Sequence, residues 1–226
     1  MVGGETLPER LAVVQVGVAD AAAQAGRDPA TITTIVVTKF HPASLVRELH
    51  ALGVRDFGEN RHQDAAPKAR LLDDLDLTWH FVGQLQSKKA RAVLGYARVI
   101  HSVDRESLVD SLASLAEPVD VFLQVNLTED PGRGGVALDG VEALAERVVA
   151  NDSLRLLGLM AVAPIDVEPR GAFATVRAAA SRILTIAPDA TALSMGMSGD
   201  YREAILEGAT HLRIGTAITG IRPNPS

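Results

Sequence analysis

Short apolar, β-branched runs alternate with helix-patterned segments along the whole chain, and that alternation limits the folds open to it. The first run, TITTIVVTK (31–39), lies between Asp28-Pro29 and His41-Pro42 and reads as a buried strand. Seven more follow: VRDFG (54–58), WHFVG (79–83), RVIHS (98–102), VFLQVNL (121–127), LLGLMAV (156–162), ALSMG (192–196) and HLRIG (211–215). Between them lie helical patterns at Ser44–Leu52, His62–Leu72, Ser87–Tyr96, Arg105–Ala116, Leu138–Ala150, Arg170–Ile186 and Asp200–Glu207. Strands that alternate with helices argue for a parallel sheet, and eight repeats in 226 residues predict a closed (β/α)8 TIM barrel. An open doubly wound sheet is the structural alternative, but no GxGxxG follows the first strand.

Leu11, Val14, Val18, Ala21, Ala22 and Ala25 recur at helical spacing before Gly26, so 7–25 reads as an amphipathic helix. In a barrel it is expected to pack outside the junction of strands eight and one. No linker or low-complexity tract interrupts the chain, and 1–226 is expected to form a single domain. The start MVGGETLPER has no basic flank or apolar signal core, and a soluble, untargeted, cytoplasmic protein is expected. The chain has no cysteine, which excludes disulfides, thiolate metal sites and a cysteine nucleophile. Its 22 Lys and Arg residues are scattered among 28 acids for a net charge of −6, which disfavours nucleic acid as a partner. The six histidines show no HxH or HxxxH pairing, and no metal site is expected.

Barrels of this kind carry their chemistry at the C-terminal ends of the strands, with phosphate often held after strands seven and eight. Those positions read SMGMSG (194–199) and RIGTAITG (213–220). Ser198, Gly215 and Thr216 offer hydroxyls and closely approachable backbone N–H groups, a composition suited to a phosphate cup. A helix-capping Ser198 and a turn glycine at 215 are the plainer readings. Lys39 ends the first strand, next to strand eight in a closed barrel. Arg213 and partial burial are expected to lower its pKa, and a neutral amine beside such a cup suits a Schiff base with a phosphorylated aldehyde. A solvent-directed lysine, or one paired with Glu59, is the alternative. Asn60, in FGENR (57–61), either contacts a ligand or caps the next helix. His80 reads as a hydrogen-bonded core residue, and Ser87, Lys88 and Lys89 as a solvated helix start.

VVTKFHP, FGENRHQ, WHFVGQLQSKK, HSVD, QVNL, GLM, SMGMSGDYREAI and RIGTAITG, in that order, closely resemble the pyridoxal phosphate homeostasis protein family. The resemblance implies an alanine racemase-type N-terminal barrel that binds pyridoxal 5′-phosphate as an internal aldimine on Lys39. It further implies that Ser198, Gly215 and Thr216 hold the phosphate, that Arg213 faces the pyridine nitrogen and that Asn60 lines the pocket. The implied role is cofactor and amino-acid homeostasis without robust catalysis. Strand eight is the last strand read, so no second domain is expected to supply a tyrosine base, and Tyr201 is the one conceivable substitute. An amino-acid racemase and a Schiff-base phosphosugar aldolase are the rival activities. The expected partners are the cofactor and, transiently, apoenzymes that use it; a monomer is expected, away from membranes. Lys88, Arg133 and Thr219 depart from the family pattern, where Asn, Lys and Phe are usual.

Overall fold

In the computed structural model, which describes residues 5–115 and 118–220, the apolar runs become eight parallel strands. They are β1 (Thr33–Val37), β2 (Asp56–Glu59), β3 (Thr78–Phe81), β4 (Val99–Val103), β5 (Val119–Val125), β6 (Leu154–Ala161), β7 (Ala192–Ser194) and β8 (His211–Ile214). Each pairs with the next, and β1 pairs with β8 from Thr33–His211 to Val36–Ile214, closing the barrel. Ile35 and Val36 are adjacent yet both buried, because one side chain faces the barrel interior and the other faces the helices.

The helices are α1 (Leu7–Gln24), α2 (Ala43–Ala51), α3 (His62–Arg70), α4 (Ala90–Leu94), α5 (Glu106–Ala113), α6 (Val141–Val149), α7 (Pro169–Ile183), α8 (Tyr201–Leu206) and α9 (Thr216–Thr219). α1 opens with a capping box in which Glu9 accepts from the Thr6 N–H at 2.7 Å. Its buried residues Leu11, Val14, Val18, Ala21 and Ala22 pack on α8 and α9, on either side of β8. Arg10 Nε ties α1 to the Ile218 carbonyl at 2.7 Å, and Arg27 Nη1 donates to the Ala209 carbonyl at 2.7 Å.

Several boundaries differ from the sequence reading. The stretch Ser87–Tyr96 divides into a 3-10 turn, Ser87–Lys89, and the short α4, and α9 follows β8 where no helix is expected. Gly215 supplies an irregular backbone (φ −107°, ψ −93°) that allows a helical turn to restart directly after the strand. Ala116, the expected end of the fifth helix, and 1–4, where the sequence was read for a targeting signal, lie outside the described residues. Among those residues no helix is long and apolar enough to cross a membrane.

Candidate functional site

The last ladder bond of the β1 edge runs from the Thr38 N–H to the Gly58 carbonyl at 3.0 Å, and the chain then turns sharply. The His41 N–H returns to the Thr38 carbonyl at 3.0 Å, with Phe40 at φ +68°, the single non-glycine residue with positive φ among those described. A side chain in that region costs about 1–2 kcal/mol. The turn places Lys39 at the barrel mouth, exposed, with Nζ 6.0 Å from the centre of the Phe40 ring. The expected partial burial of Lys39 is therefore not present: the residue stands beyond the last strand position and not within it.

Lys39 is not the partner of Glu59. That carboxylate is fully buried and is held by Lys68 of α3 and by Thr38 Oγ1, the latter at 2.8 Å. Lys68 Nζ also donates to the Thr38 carbonyl at 2.9 Å. A buried cation and anion thus brace the turn from behind, a support with no local signature in the sequence.

The two glycine loops meet. Ser198 Oγ accepts from the Ala217 N–H at 3.3 Å and lies 3.4 Å from Thr216 Oγ1, so it binds across to the other loop and does not cap α8. Asn60 does not cap α3 either: the N-cap position is Arg61, and Asn60 Oδ1 is buried without a hydrogen-bond partner. Such an orphaned acceptor costs free energy unless a ligand or water satisfies it. Gly83, after β3, allows this approach, since a Cβ there would lie 2.1 Å from the Asn60 carbonyl oxygen.

Arg213 is buried on β8. Nη1 donates to the Ser194 carbonyl and to Ser194 Oγ, both at 2.7 Å, and Nη2 donates to the Ala161 carbonyl at 2.9 Å. Burial pulls its pKa down to about 10, against the opposing charge of Asp200, so the guanidinium is cationic at neutral pH.

Lys39, Asn60, Ser198, Arg213, Gly215 and Thr216 all line one cavity of about 470 Å³. Val37, Val82, Gly83, Val162, Met197 and Gly199 complete its wall; the sequence alone assigns none of them a site role, because they lie within or beside the apolar runs and glycine loops. The cavity thus combines a primary amine, a buried guanidinium, two hydroxyls, an amide and an apolar wall, a set suited to a flat polar ring with an anionic arm. A larger cavity, about 630 Å³, lies between α3 and α4 away from this mouth and holds none of these groups. Lys88, Arg133 and Thr219 do not line the mouth cavity: the first two are exposed, and Thr219 Oγ1 donates to the Gly215 carbonyl at 3.2 Å.

Neither of the two tyrosines reaches it. Tyr201 packs against α1, where a Cβ on Gly17 would lie 2.1 Å from its hydroxyl oxygen. Tyr96 lines the α3–α4 cavity, with a buried hydroxyl that has no hydrogen-bond partner. Burial, reinforced by the charge of Glu59, pushes its pKa well up.

Residues 21–223 match the family described as alanine racemase, N-terminal domain. A pyridoxal phosphate homeostasis protein of Pseudomonas aeruginosa is 43% identical over 225 residues, 96% of this chain and 96% of that one. Another, from Escherichia coli strain K12, is 36% identical over 96% of this chain and 97% of its own. Among solved structures, PipY of Synechococcus elongatus PCC7942 with PLP bound superposes with a TM-score of 0.84 at 37% identity, over 95% of this chain and 100% of that one. Alanine racemase from Corynebacterium glutamicum shares the fold, with a TM-score of 0.66 at 14% identity over 94% of this chain and 61% of its own. Eight-strand closure and near-full-length identity with these relatives together place the chain in the pyridoxal phosphate homeostasis protein family, on a barrel of the alanine racemase N-terminal type.

Proposed function

We propose that the protein binds pyridoxal 5′-phosphate in the mouth cavity and serves vitamin B6 and amino-acid homeostasis without robust catalysis. The observation that carries this reading is the convergence of Lys39, Asn60, Ser198, Arg213, Gly215 and Thr216, from the ends of four strands, on one cavity. The names of the relatives and the PLP-bound PipY structure support it. The group fits what the cavity offers: an aldehyde for the Lys39 amine, a phosphate for the Ser198–Thr216 side and an aromatic ring for the apolar wall. Bound there, it would supply a reactive aldehyde. Lys39 would hold the group through its aldehyde as a Schiff base, Ser198, Gly215 and Thr216 would hold the phosphate, Arg213 would donate to the ring nitrogen and Asn60 would line the ring.

Arg213 as a donor would leave the ring nitrogen unprotonated, which would weaken the ring as an electron sink. The positions of Tyr96 and Tyr201 away from the cavity further favour holding over turnover. The reading extends to a monomer in the cytoplasm that contacts cofactor-dependent apoenzymes transiently. Its test is titration of the Ser198→Ala/Thr216→Ala protein with pyridoxal phosphate and with unphosphorylated pyridoxal. A loss confined to the phosphorylated form supports the assignment, and equal loss of both contradicts it. Robust amino-acid racemisation by the loaded protein would replace this reading with an enzymatic one.

A further inference from the structure

The barrel interior carries a polar line that reaches the cavity at Arg213. Arg213 Nη1 is 2.7 Å from Ser194 Oγ, which is 2.8 Å from His101 Nδ1. His101 Nε2 is 2.9 Å from His80 Nδ1, and His80 Nε2 is 3.0 Å from Asp56 Oδ1. Ser194, His101 and His80 are buried, whereas the Asp56 side chain, on the first residue of β2, is 31% exposed at the opposite end of the barrel.

The hydrogens on this line follow from its two ends. A guanidinium can only donate, so Nη1 gives its hydrogen to Ser194 Oγ; a carboxylate can only accept, so His80 Nε2 gives its hydrogen to Asp56. A neutral His80 then accepts at Nδ1, His101 donates from Nε2 and accepts at Nδ1, and the Ser194 hydroxyl supplies that last hydrogen. Every bond points from Arg213 toward Asp56, and no polar hydrogen of Ser194, His101 or His80 is left over. A cationic His80 would reverse the His80–His101 bond and leave the Ser194 hydroxyl hydrogen with no acceptor in the chain. Burial first, then the neighbouring His80, Arg213 and His211, hold His101 well below its ordinary pKa, which accords with a neutral ring.

We propose that Asp56, His80, His101 and Ser194 are positioning residues whose one-way hydrogen-bond chain locks the Nη1 face of Arg213 inward, reserving its remaining N–H donors for a ligand acceptor. Among the described residues the Arg213 Nε–H and the second Nη2 hydrogen have no acceptor, while the residue itself lines the cavity. The chain balances the guanidinium charge with the Asp56 carboxylate across the barrel. That the acceptor is the ring nitrogen of pyridoxal phosphate rests on the proposed function; the chain itself does not.

The test begins without ligand. Long-range proton–nitrogen spectra of 15N-histidine-labelled protein at pH 7.5 should show His80 and His101 neutral and protonated at Nε2. An Nδ1-protonated or cationic His101 overturns the proposal whatever the protein binds. The second part compares His101→Leu with His101→Gln, whose amide oxygen and nitrogen can replace the accepting and donating ring nitrogens. Pyridoxal phosphate retention should fall by about tenfold in the leucine variant, as for loss of a hydrogen bond supporting a charged group, and return to within about threefold of wild type in the glutamine variant. Equal loss in both variants would mean that His101 only fills space, and would overturn the positioning role. Ser194→Ala makes the same comparison if the leucine variant does not fold: about tenfold weaker retention is expected, and unchanged retention counts against the chain. A wild-type protein that fails to retain the cofactor would contradict the proposed function, while the tautomers would still decide the chain.

Discussion

Lys68 Nζ donates to the carbonyl of Thr38 at 2.9 Å, so a buried lysine secures the residue immediately before the exposed Lys39. The same ammonium pairs with the buried Glu59. Removing one member of such a pair leaves a buried charge uncompensated. Lys68→Met is expected to lower stability by about 3–5 kcal/mol, and Lys68→Met/Glu59→Gln by less. Urea denaturation of the two variants checks this, and a double variant weaker than the single one would contradict it.

The left-handed Phe40 gives a backbone prediction that separates strain from side-chain contact. Phe40→Ala keeps a Cβ at φ +68°, whereas Phe40→Gly does not, and both lose the ring that lies 5.5 Å from Arg61 Cζ. The glycine variant should therefore be more stable than the alanine variant by about 1 kcal/mol. Equal unfolding midpoints would show that the turn relaxes in solution.

Gly83 tests the Asn60 wall. A Cβ at that position meets the Asn60 backbone, which cannot swing aside as a long side chain can. Gly83→Ala should destabilise the fold by about 1–3 kcal/mol and weaken cofactor retention through displacement of Asn60. Thermal melts and a retention assay on the same samples read both effects, and a variant unchanged in both would place the two loops farther apart than described.

Acid should weaken the barrel through its interior histidines. Burial, reinforced by His80, brings His211 down to about 4, and burial also depresses His101. The unfolded chain, with ordinary histidines, binds more protons than the folded one between about pH 4 and 6.5. The stability contributed by neutral His211 is complete above that window and is lost as pH falls through it, by about 2 kcal/mol between pH 6.5 and 5. Urea midpoints of the wild type should drop from pH 7.5 to 5.0, and those of His211→Gln should drop less. Parallel slopes would contradict the assignment.

Much of the barrel was legible because each element announces itself locally. β-branched runs such as TIVVT and the spacing of Leu11, Val14 and Val18 carry their own periodicity. Lys39, Ser198 and Thr216 were legible for a related reason: small or charged residues directly after a strand fall on one face of a parallel barrel. The supports behind them were not. Lys68 lies on a helix whose other charges face solvent, and only the closed sheet brings it under Thr38. The line from Asp56 through His80, His101 and Ser194 to Arg213 draws on five strands, so no sequence window contains two of its links. The sequence marks His80 as a hydrogen-bonded core histidine without naming its partners, which lie 21 and 24 residues away in the chain. Polar residues in otherwise apolar strands are the trace such a line leaves.

Covalent attachment of pyridoxal phosphate to Lys39 is the step on which the proposed function depends. Incubation with the cofactor, borohydride reduction and peptide mapping test it most directly. A visible imine band that reduction removes is expected, with the reduced adduct on the peptide containing Lys39 and absent from a folded Lys39→Ala protein. An adduct confined to other lysines, or no band in the wild type, would contradict it.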